Sequence, residues 1–308
     1  MKSNKSFAIL LLLMLPYCLF SQTHREIEYQ QETTPLRVLS WNIYMLPYIS
    51  LFNKNAERAH LISERLKKSD YQIIVFQEAF SSKCRKILAQ ELQAQYPYQY
   101  GPANPNLVPM RTNSGLWIVS KLPLVQKEAI RFSQSKGFDR VARKGAVLFE
   151  GKAGNTTFQL LATHLQADEP HVIREAQCRE IKEKLLNRYH KADIPQIICG
   201  DLNIDKNNTD EYGKMLKTLD AQNGELSGNV QITYDEEANY LARTARRKKR
   251  ILDYVLIRNH SSIRKIERKV APFATESAGS LSHLSDHYAI EANILFTAPK
   301  PENTASVK

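Results

Sequence analysis

The sequence predicts one mixed α/β domain in which two β-sheets pack face to face with helices outside. Three observations point there. Strand-like and helix-like stretches are interleaved along the whole chain, with no internal repeat and no linker to divide it. Between Gly115 and Thr163, four strand patterns follow one another with short links, as antiparallel hairpins do. The chain has 308 residues, 43% of them hydrophobic, which is ample for one large core.

The elements follow in order. Leu36 to Asn42 alternates apolar and polar residues and reads as a strand. Ala59, Ile62 and Leu66 give Ala56 to Leu66 helical spacing. Tyr71 to Phe76 is a continuous apolar strand that runs into Gln77-Glu78, and Lys83 to Leu92 is again helical. Pro97, Pro102, Pro105 and Pro109 make Tyr96 to Arg111 a loop. Strands are expected at Gly115–Val119, Leu124–Arg131, Gly145–Glu150 and Thr156–Thr163. A long helix from Pro170 to Tyr189 comes next, then a strand at Gln196–Cys199 and a helix at Thr209–Leu219. Three further strands cover Ile251–Ile257, Ser262–Val270 and Tyr288–Phe296.

Both ends of the chain fall outside this domain. Lys2 and Lys5 precede an apolar run from Phe7 to Phe20, followed by Ser21, the layout of a secretory signal peptide over residues 1–21. Residues 22–35 are polar and read as a mobile lead-in, 36–298 as the folded domain, and 299–308 as a disordered tail. The formal net charge is +11, and still +9 without Lys2 and Lys5. A basic secreted protein suits phosphate-bearing or anionic partners. Cys84, Cys178 and Cys199 remain after cleavage, so at most one intrachain disulfide can form. None shows metal-ligand spacing, and Cys199 reads as a small core residue.

Function is written at the strand ends. The strands finish or begin with Asn42, with Glu78, with Thr163-His164, with Gly200-Asp201-Leu202-Asn203, with Asp253, and with Ser285-Asp286-His287. Asn42, Glu78 and Asp286 are hard oxygen donors of the kind Mg²⁺ takes. His164 and His287 can give and accept protons, and Asp201 and Asp253 can orient and polarise them. Each cluster alone has an ordinary reading as a turn residue, a helix-start acid or a buried histidine. Together they match hydrolysis of a phosphate ester by an activated water.

The ordered set Trp41-Asn42-Ile43-Tyr44-Met45-Leu46-Pro47, Phe76-Gln77-Glu78, Gly115-Leu116-Trp117-Ile118-Val119-Ser120-Lys121, Thr163-His164-Leu165-Gln166-Ala167, Gly200-Asp201-Leu202-Asn203, Leu252-Asp253-Tyr254 and Ser285-Asp286-His287 resembles the endonuclease/exonuclease/phosphatase superfamily. Within it, the run from Asn42 to Pro47, supported by Thr163–Ala167 and Lys144-Gly145, is most similar to secreted bacterial sphingomyelinases C. The resemblance implies a DNase I-like four-layer sandwich, two packed mixed β-sheets flanked by helices. It also implies a monomeric, secreted, Mg²⁺-dependent (or similar hard divalent) hydrolase of sphingomyelin or a related phospholipid, in peripheral contact with a membrane.

Carried over position by position, Glu78 and Asn42 would hold the metal and Asp286 would lie at or beside it. His287 would be the general base, oriented by Asp253. His164 would hydrogen-bond the phosphate, while Asp201 and Asn203 position phosphate and water. The chain departs from the family between Val270 and Leu284. Phe273 is the only aromatic there, where haemolytic relatives carry an aromatic-rich hairpin. Met45 to Ile49 with Leu51-Phe52 offers another apolar contact with a membrane.

The basic run Arg243, Arg246, Arg247, Lys248, Lys249, Arg250 suits a solvated loop, anionic lipid headgroups or a nucleic-acid backbone. Two other readings of the whole chain stay open. One is a secreted nuclease or inositol-phosphate phosphatase on the same scaffold. The other is a membrane-binding protein without catalysis, against which the complete polar set argues.

Overall fold

The computed structural model describes residues 35–46, 53–105, 112–167, 170–259, 261–277 and 279–297. The signal peptide, almost all of the lead-in, the tail, and Pro47, Tyr48, Ile49, Leu51 and Phe52 lie outside the described residues. The chain runs β1 (Leu36–Asn42), α1 (Asn55–Lys67), β2 (Ile73–Gln77), α2 (Ser82–Leu92), β3 (Tyr98–Tyr100), β4 (Trp117–Ser120) and β5 (Leu124–Arg131). It continues through β6 (Gly145–Ala153), β7 (Thr156–His164), α3 (His171–Ile181), β8 (Gln196–Asp201), α4 (Thr209–Leu219), β9 (Leu226–Ser227) and β10 (Tyr234–Asp235). It ends with β11 (Lys249–Arg250), β12 (Asp253–Arg258), β13 (Ile263–Ala271) and β14 (Ala289–Phe296).

One sheet has the order β3-β4-β2-β1-β14-β13-β9, the other β12-β8-β7-β6-β5, and β10 pairs with β11 in a small ribbon. Period-two alternation sorts each strand between two faces. Val38, Val75, Leu160, Ala162, Ile197, Cys199, Val255 and Ile290 meet between the sheets. Leu39, Trp41, Ile74 and Phe76 face the other way, onto Ala59, Ile62 and Leu66 of α1 and Leu88 and Leu92 of α2. On the second sheet, Leu161, Ile198, Tyr254 and Leu256 pack on Cys178 and Ile181 of α3 and Met215 and Leu219 of α4. The result is the expected α/β four-layer sandwich. Cys84, Cys178 and Cys199 are buried free thiols in three different core layers.

Two elements differ from expectation. The proline-rich segment contains β3, an edge strand after Pro97 that pairs with β4 and seats Tyr100 on Phe149, ring centres 5.2 Å apart. Proline is tolerated at that place because an edge strand need not donate on its outer side. The long helix is α-helical only to Ile181, with a π-turn over Lys182–Leu186. Met45 is fully buried in the core under α1 and α2. It packs on its own domain, one of the two readings that the apolar run from Met45 allows, the other being a membrane contact.

The rim of the sandwich follows from the same alternation. Continuing the inward rows by one step places Asn42 after Val38 and Ser40, His164 after Leu160 and Ala162, Asp201 after Ile197 and Cys199, and Asp253 before Val255. β1 and β2 run parallel, as do β7 and β8, while β12 runs antiparallel to β8. All these polar residues therefore emerge at one end. In the pairing, His164 stands beside Asp201, and Asp201 opposite Asp253. Gly200 permits that approach, since a Cβ there would lie 2.1 Å from the Thr163 carbonyl oxygen. We predict that Gly200→Ala forces β7 and β8 apart and costs about 1–3 kcal/mol. A lowered midpoint at unchanged slope in urea unfolding checks this; an unchanged midpoint would refute it.

Candidate active site

The site is assembled from loops that leave those strand ends. Glu78 directly follows β2 with φ 52°, a left-handed conformation that costs a non-glycine residue about 1–2 kcal/mol. Its carbonyl accepts from Met45 N at 3.1 Å and Phe80 N at 2.7 Å, which fixes the turn. Gly115, at φ 72°, lies under it, where a Cβ would meet the Phe80 ring at 2.9 Å and Glu78 Cα at 3.1 Å. Asn203 is also left-handed, and Asp201 Oδ1 accepts from its backbone N–H at 2.9 Å in an Asx turn.

Asn42 is the bridge. Its Nδ2 donates to Glu78 Oε1 at 3.1 Å and to Asp201 Oδ2 at 3.0 Å. Its Oδ1 accepts from Tyr44 N at 3.1 Å. Asp201 Oδ2 also lies 3.5 Å from His164 Nε2 and 3.7 Å from His287 Nε2. His287 Nδ1 is 2.8 Å from Asp253 Oδ2, with the acid fully buried. Asp286 is half-buried, and Ser285 Oγ donates to its Oδ1 at 3.2 Å and to the Asn42 carbonyl at 2.6 Å. Asn42, Glu78, His164, Asp201, Asp253, Asp286 and His287 thus form one cluster. Asn203 stands at its edge, with Nδ2 donating to the Leu165 carbonyl at 3.2 Å.

The electrostatics divide the two histidines. Burial, then the Lys144 ammonium, then His287 push His164 well below the usual range. Burial works the same way on His287, but Asp253, Asp201 and Asp286 outweigh it and hold that imidazole well above the range. Burial, then the charge of Asp286, raises the Glu78 carboxyl to about 7. Burial raises Asp253 to about 6, with His287 opposing the rise and Asp201 adding to it.

Several residues that complete the site carry no signal in the sequence. Lys144 is buried, with Nζ 3.0 Å from His164 Nε2, 2.9 Å from Asp139 Oδ2 and 2.9 Å from the Leu165 carbonyl oxygen. An ammonium only donates, so His164 Nε2 must accept and the ring is the neutral Nδ1–H tautomer. That Nδ1 is buried with no partner among the described residues. Arg58, fully buried in α1, donates to the carbonyls of Ile43 (3.0 Å), Tyr44 (2.6 Å) and Leu284 (2.8 Å). It ties the loop after Asn42 to the triplet. Asn239 Nδ2 holds the carbonyls of Ser285 at 2.8 Å and Asp286 at 3.1 Å. Of these, Lys144 enters the sequence pattern only through Lys144-Gly145 and the family resemblance. Arg58 stands beside Ala59 in a helix pattern and reads as solvent-facing.

Asp201, Asp253 and His287 also bring two carboxylate oxygens and a ring nitrogen within 4.8 Å of one another, a spacing that can hold a metal ion. The 2.8 Å contact between Nδ1 and Asp253 occupies one donor of that set, and the geometry is that of an imidazole held by an acid. Glu78 offers the better oxygen, because its Oε2 is buried and unpartnered among the described residues.

Residues 39–287 match the model of the Endonuclease/Exonuclease/phosphatase family. The chain belongs to this family. A sphingomyelinase C of Bacillus cereus is 28% identical over 300 residues, covering 85% of this chain and 90% of the relative. The crystal structure of sphingomyelinase C from Streptomyces griseocarneus superposes with TM-score 0.74 at 26% identity, covering 84% of this chain and 99% of that one. A beta toxin variant from Staphylococcus aureus, solved with bound magnesium ions, gives TM-score 0.74 at 26% identity with the same coverage. By family and relatives, this chain is a phosphodiester hydrolase with the DNase I-like fold.

We predict that His164 stays neutral, protonated on Nδ1, through the region near pH 6.5 where ordinary histidines titrate. Lys144→Met should release the ring to a mixture of tautomers. Two-bond nitrogen–proton NMR spectra of the imidazoles read both states. A wild-type His164 that titrates near pH 6.5 would refute the assignment.

Proposed function

We propose that this chain is a secreted, Mg²⁺-dependent sphingomyelinase of the phospholipase C type. It would cleave sphingomyelin to ceramide and phosphocholine at a membrane surface. The observation that carries the reading is the Asp253–His287 pair, joined through Asp201 and Asn42 to Glu78, in a chain aligned with sphingomyelinase C along nearly all of its catalytic domain. Secretion rests on the N-terminal pattern of basic start, apolar run and Ser21. Among the described residues no helix is long and apolar enough to cross a membrane.

The residues fit a hard divalent cation. Among the described residues Glu78 Oε2 has no partner, Asp286 crowds it electrostatically, and Asn42 Oδ1 keeps a lone pair beyond its bond from Tyr44 N. Glu78, Asn42 and Asp286 would hold the ion, which when bound supplies Lewis-acid charge to the phosphate. Everything else falls to the protein. Asp253 accepts from His287 Nδ1–H and aims Nε2 at the attacking water, from which Nε2 takes a proton. The water oxygen bonds to phosphorus as the bond to the ceramide oxygen breaks, and the elements of water are divided between the two products. His164 would hydrogen-bond the phosphate, and Asn203 with Asp201 would position phosphate and water.

Three outcomes are expected. Incubation with sphingomyelin vesicles, plasmid DNA and inositol polyphosphates, each with Mg²⁺ or EDTA, should show phosphocholine release with Mg²⁺ alone. Cleavage of DNA or of inositol polyphosphates instead would replace the substrate, and full activity in EDTA after removal of bound metal would remove the metal. Mg²⁺ at 100-fold its Kd should stabilise the wild-type fold by about 2.7 kcal/mol. Glu78→Gln should abolish that gain in thermal unfolding, and an equal gain in the variant would overturn the ligand assignment.

The third outcome concerns pH. A neutral His287 is required, so kcat/KM should fall on the acid side. A cation's charge offsets Asp286 and lowers the imidazole's pKa, so the acid limb should move to lower pH as Mg²⁺ is raised. His287→Ala should cost on the order of 10²-fold or more in turnover. Near-normal turnover with an unaltered acid limb would place the base elsewhere.

A further inference from the structure

The basic run is mounted directly on the wall of the site. It occupies residues 243–250, between β10 and the start of β12, with β11 as its closing end. Glu236, buried beneath it, accepts from Arg250 at 3.0 Å, from Thr244 Oγ1 at 2.6 Å and from Lys248 N at 3.1 Å. Arg246 is 3.6 Å from the same carboxylate. Arg250 lies over the Tyr234 ring, 4.7 Å from its centre, and that ring meets the His287 imidazole edge-on at 4.8 Å. Tyr288 N donates to the Thr233 carbonyl at 2.7 Å, and Asn239 holds the triplet's carbonyls. A solvated loop needs no such mount.

The outward side of this segment is different in kind. Arg243, Arg246, Arg247, Lys248 and Lys249 are exposed. Among the described residues Arg243, Arg247 and Lys248 have no ion-pair partner, whereas Lys249 meets Glu237 at 2.7 Å. Tyr240, in the same segment, is 48% exposed, a large amphipathic ring of the kind that settles at a headgroup layer. The segment 272–284 beside it offers nothing comparable. Its one aromatic, Phe273, is stacked on the buried Trp41 with ring centres 4.6 Å apart.

We infer that the segment Tyr240–Lys249 is a membrane-docking surface that engages anionic lipid headgroups and brings the adjacent site to the bilayer. Its choice of a bilayer rests on the lipid-substrate reading above, and the charge complementarity is its own. Phosphatidylserine-type headgroups present fixed negative charge, and each basic side chain near such a surface adds roughly a tenfold factor or less to binding. Arg243, Arg247 and Lys248 are free for this role, because Arg246, Lys249 and Arg250 are engaged with Glu236 and Glu237.

The test is flotation of the full chain with phosphatidylcholine vesicles, with and without phosphatidylserine, in EDTA and without sphingomyelin. Failure of the substrate assignment therefore leaves this measurement readable, and failure here leaves that assignment standing. Wild-type protein should prefer the anionic vesicles, and the preference should shrink as salt rises. The triple variant Arg243→Gln, Arg247→Gln, Lys248→Gln should lower anionic-vesicle affinity on the order of 100-fold at low salt. Its thermal midpoint should be unchanged, since among the described residues those side chains hold no ion pair. A control triple, Lys83→Gln, Lys86→Gln, Lys217→Gln, removes the same charge from exposed positions on α2 and α4 and should change affinity less than twofold. Three results would overturn the inference: no anionic preference, an equal loss in both triples, or tighter binding to duplex DNA than to anionic vesicles.

Discussion

The hydrogen bond from Asn42 to Asp201 crosses from one sheet to the other at the end of the sandwich. Asn42 ends β1 in the seven-stranded sheet, and Asp201 ends β8 in the five-stranded sheet. Below it, past the buried Gln77–Ser40 hydrogen bond, the space between the sheets is filled by an apolar core held by shape and burial. Everything above it is polar, and each polar group depends on where that bond sets the two strands. The same amide reaches Glu78, and the same carboxylate oxygen faces both imidazoles. A hydrogen bond to a charged group in a dry setting is stronger than a neutral one, and removing either partner strands the other. The site's geometry is thus set by sheet packing together with the loops that leave the strand ends.

Around that point the protein gives two similar side chains opposite properties. Both histidines are buried near Asp201, so burial alone would lower both. The difference lies in the next neighbour. His164 faces Lys144, and a cation at 3.0 Å both disfavours protonation and fixes the tautomer. His287 faces Asp253, with Asp201 and Asp286 nearby, so its protonated form is favoured. Two titratable groups driven apart by their surroundings are the usual mark of distinct acid–base roles. On the Glu78 side carboxylates outnumber cations, a charge balance that the proposed divalent ion would offset.

Much of this was legible in the sequence. Period-two rows announced the strands, and in several strands a row's end member is a polar residue of the cluster. That holds for β1, β7 and β8, whose inward rows end in Asn42, His164 and Asp201, and for β12, whose row begins with Asp253, but not for β2, whose row ends in Gln77. Glu78 and the Ser285–His287 triplet sit just beyond their strands, where position along the chain was enough. Lys144 was legible only through the resemblance, and Arg58 and Asn239 were illegible for a common reason. Each acts through backbone carbonyls or through a partner far along the chain, as Arg58 does with Leu284, and a carbonyl has no residue identity to recognise. β3 was hidden because proline density suggests loop even where an edge strand tolerates it. The π-turn after Ile181 changes hydrogen bonding without changing the apolar spacing.

The basic run shows how the same residues can be misjudged from composition alone. Six cations in eight residues look like a loop that repels itself and stays in water. Here one buried carboxylate, Glu236, answers that repulsion from within, and two of the cations are consumed in holding the segment. What it buttresses is Tyr234, whose ring closes one side of His287. A cationic segment raises the cost of protonating a nearby imidazole only slightly when it lies in solvent, so its value to the site is steric. Tyr234 restricts the imidazole's rotation while Asp253 sets its tautomer. The arrangement couples the rigidity of the His287 imidazole to an exposed charged surface through a single aromatic ring.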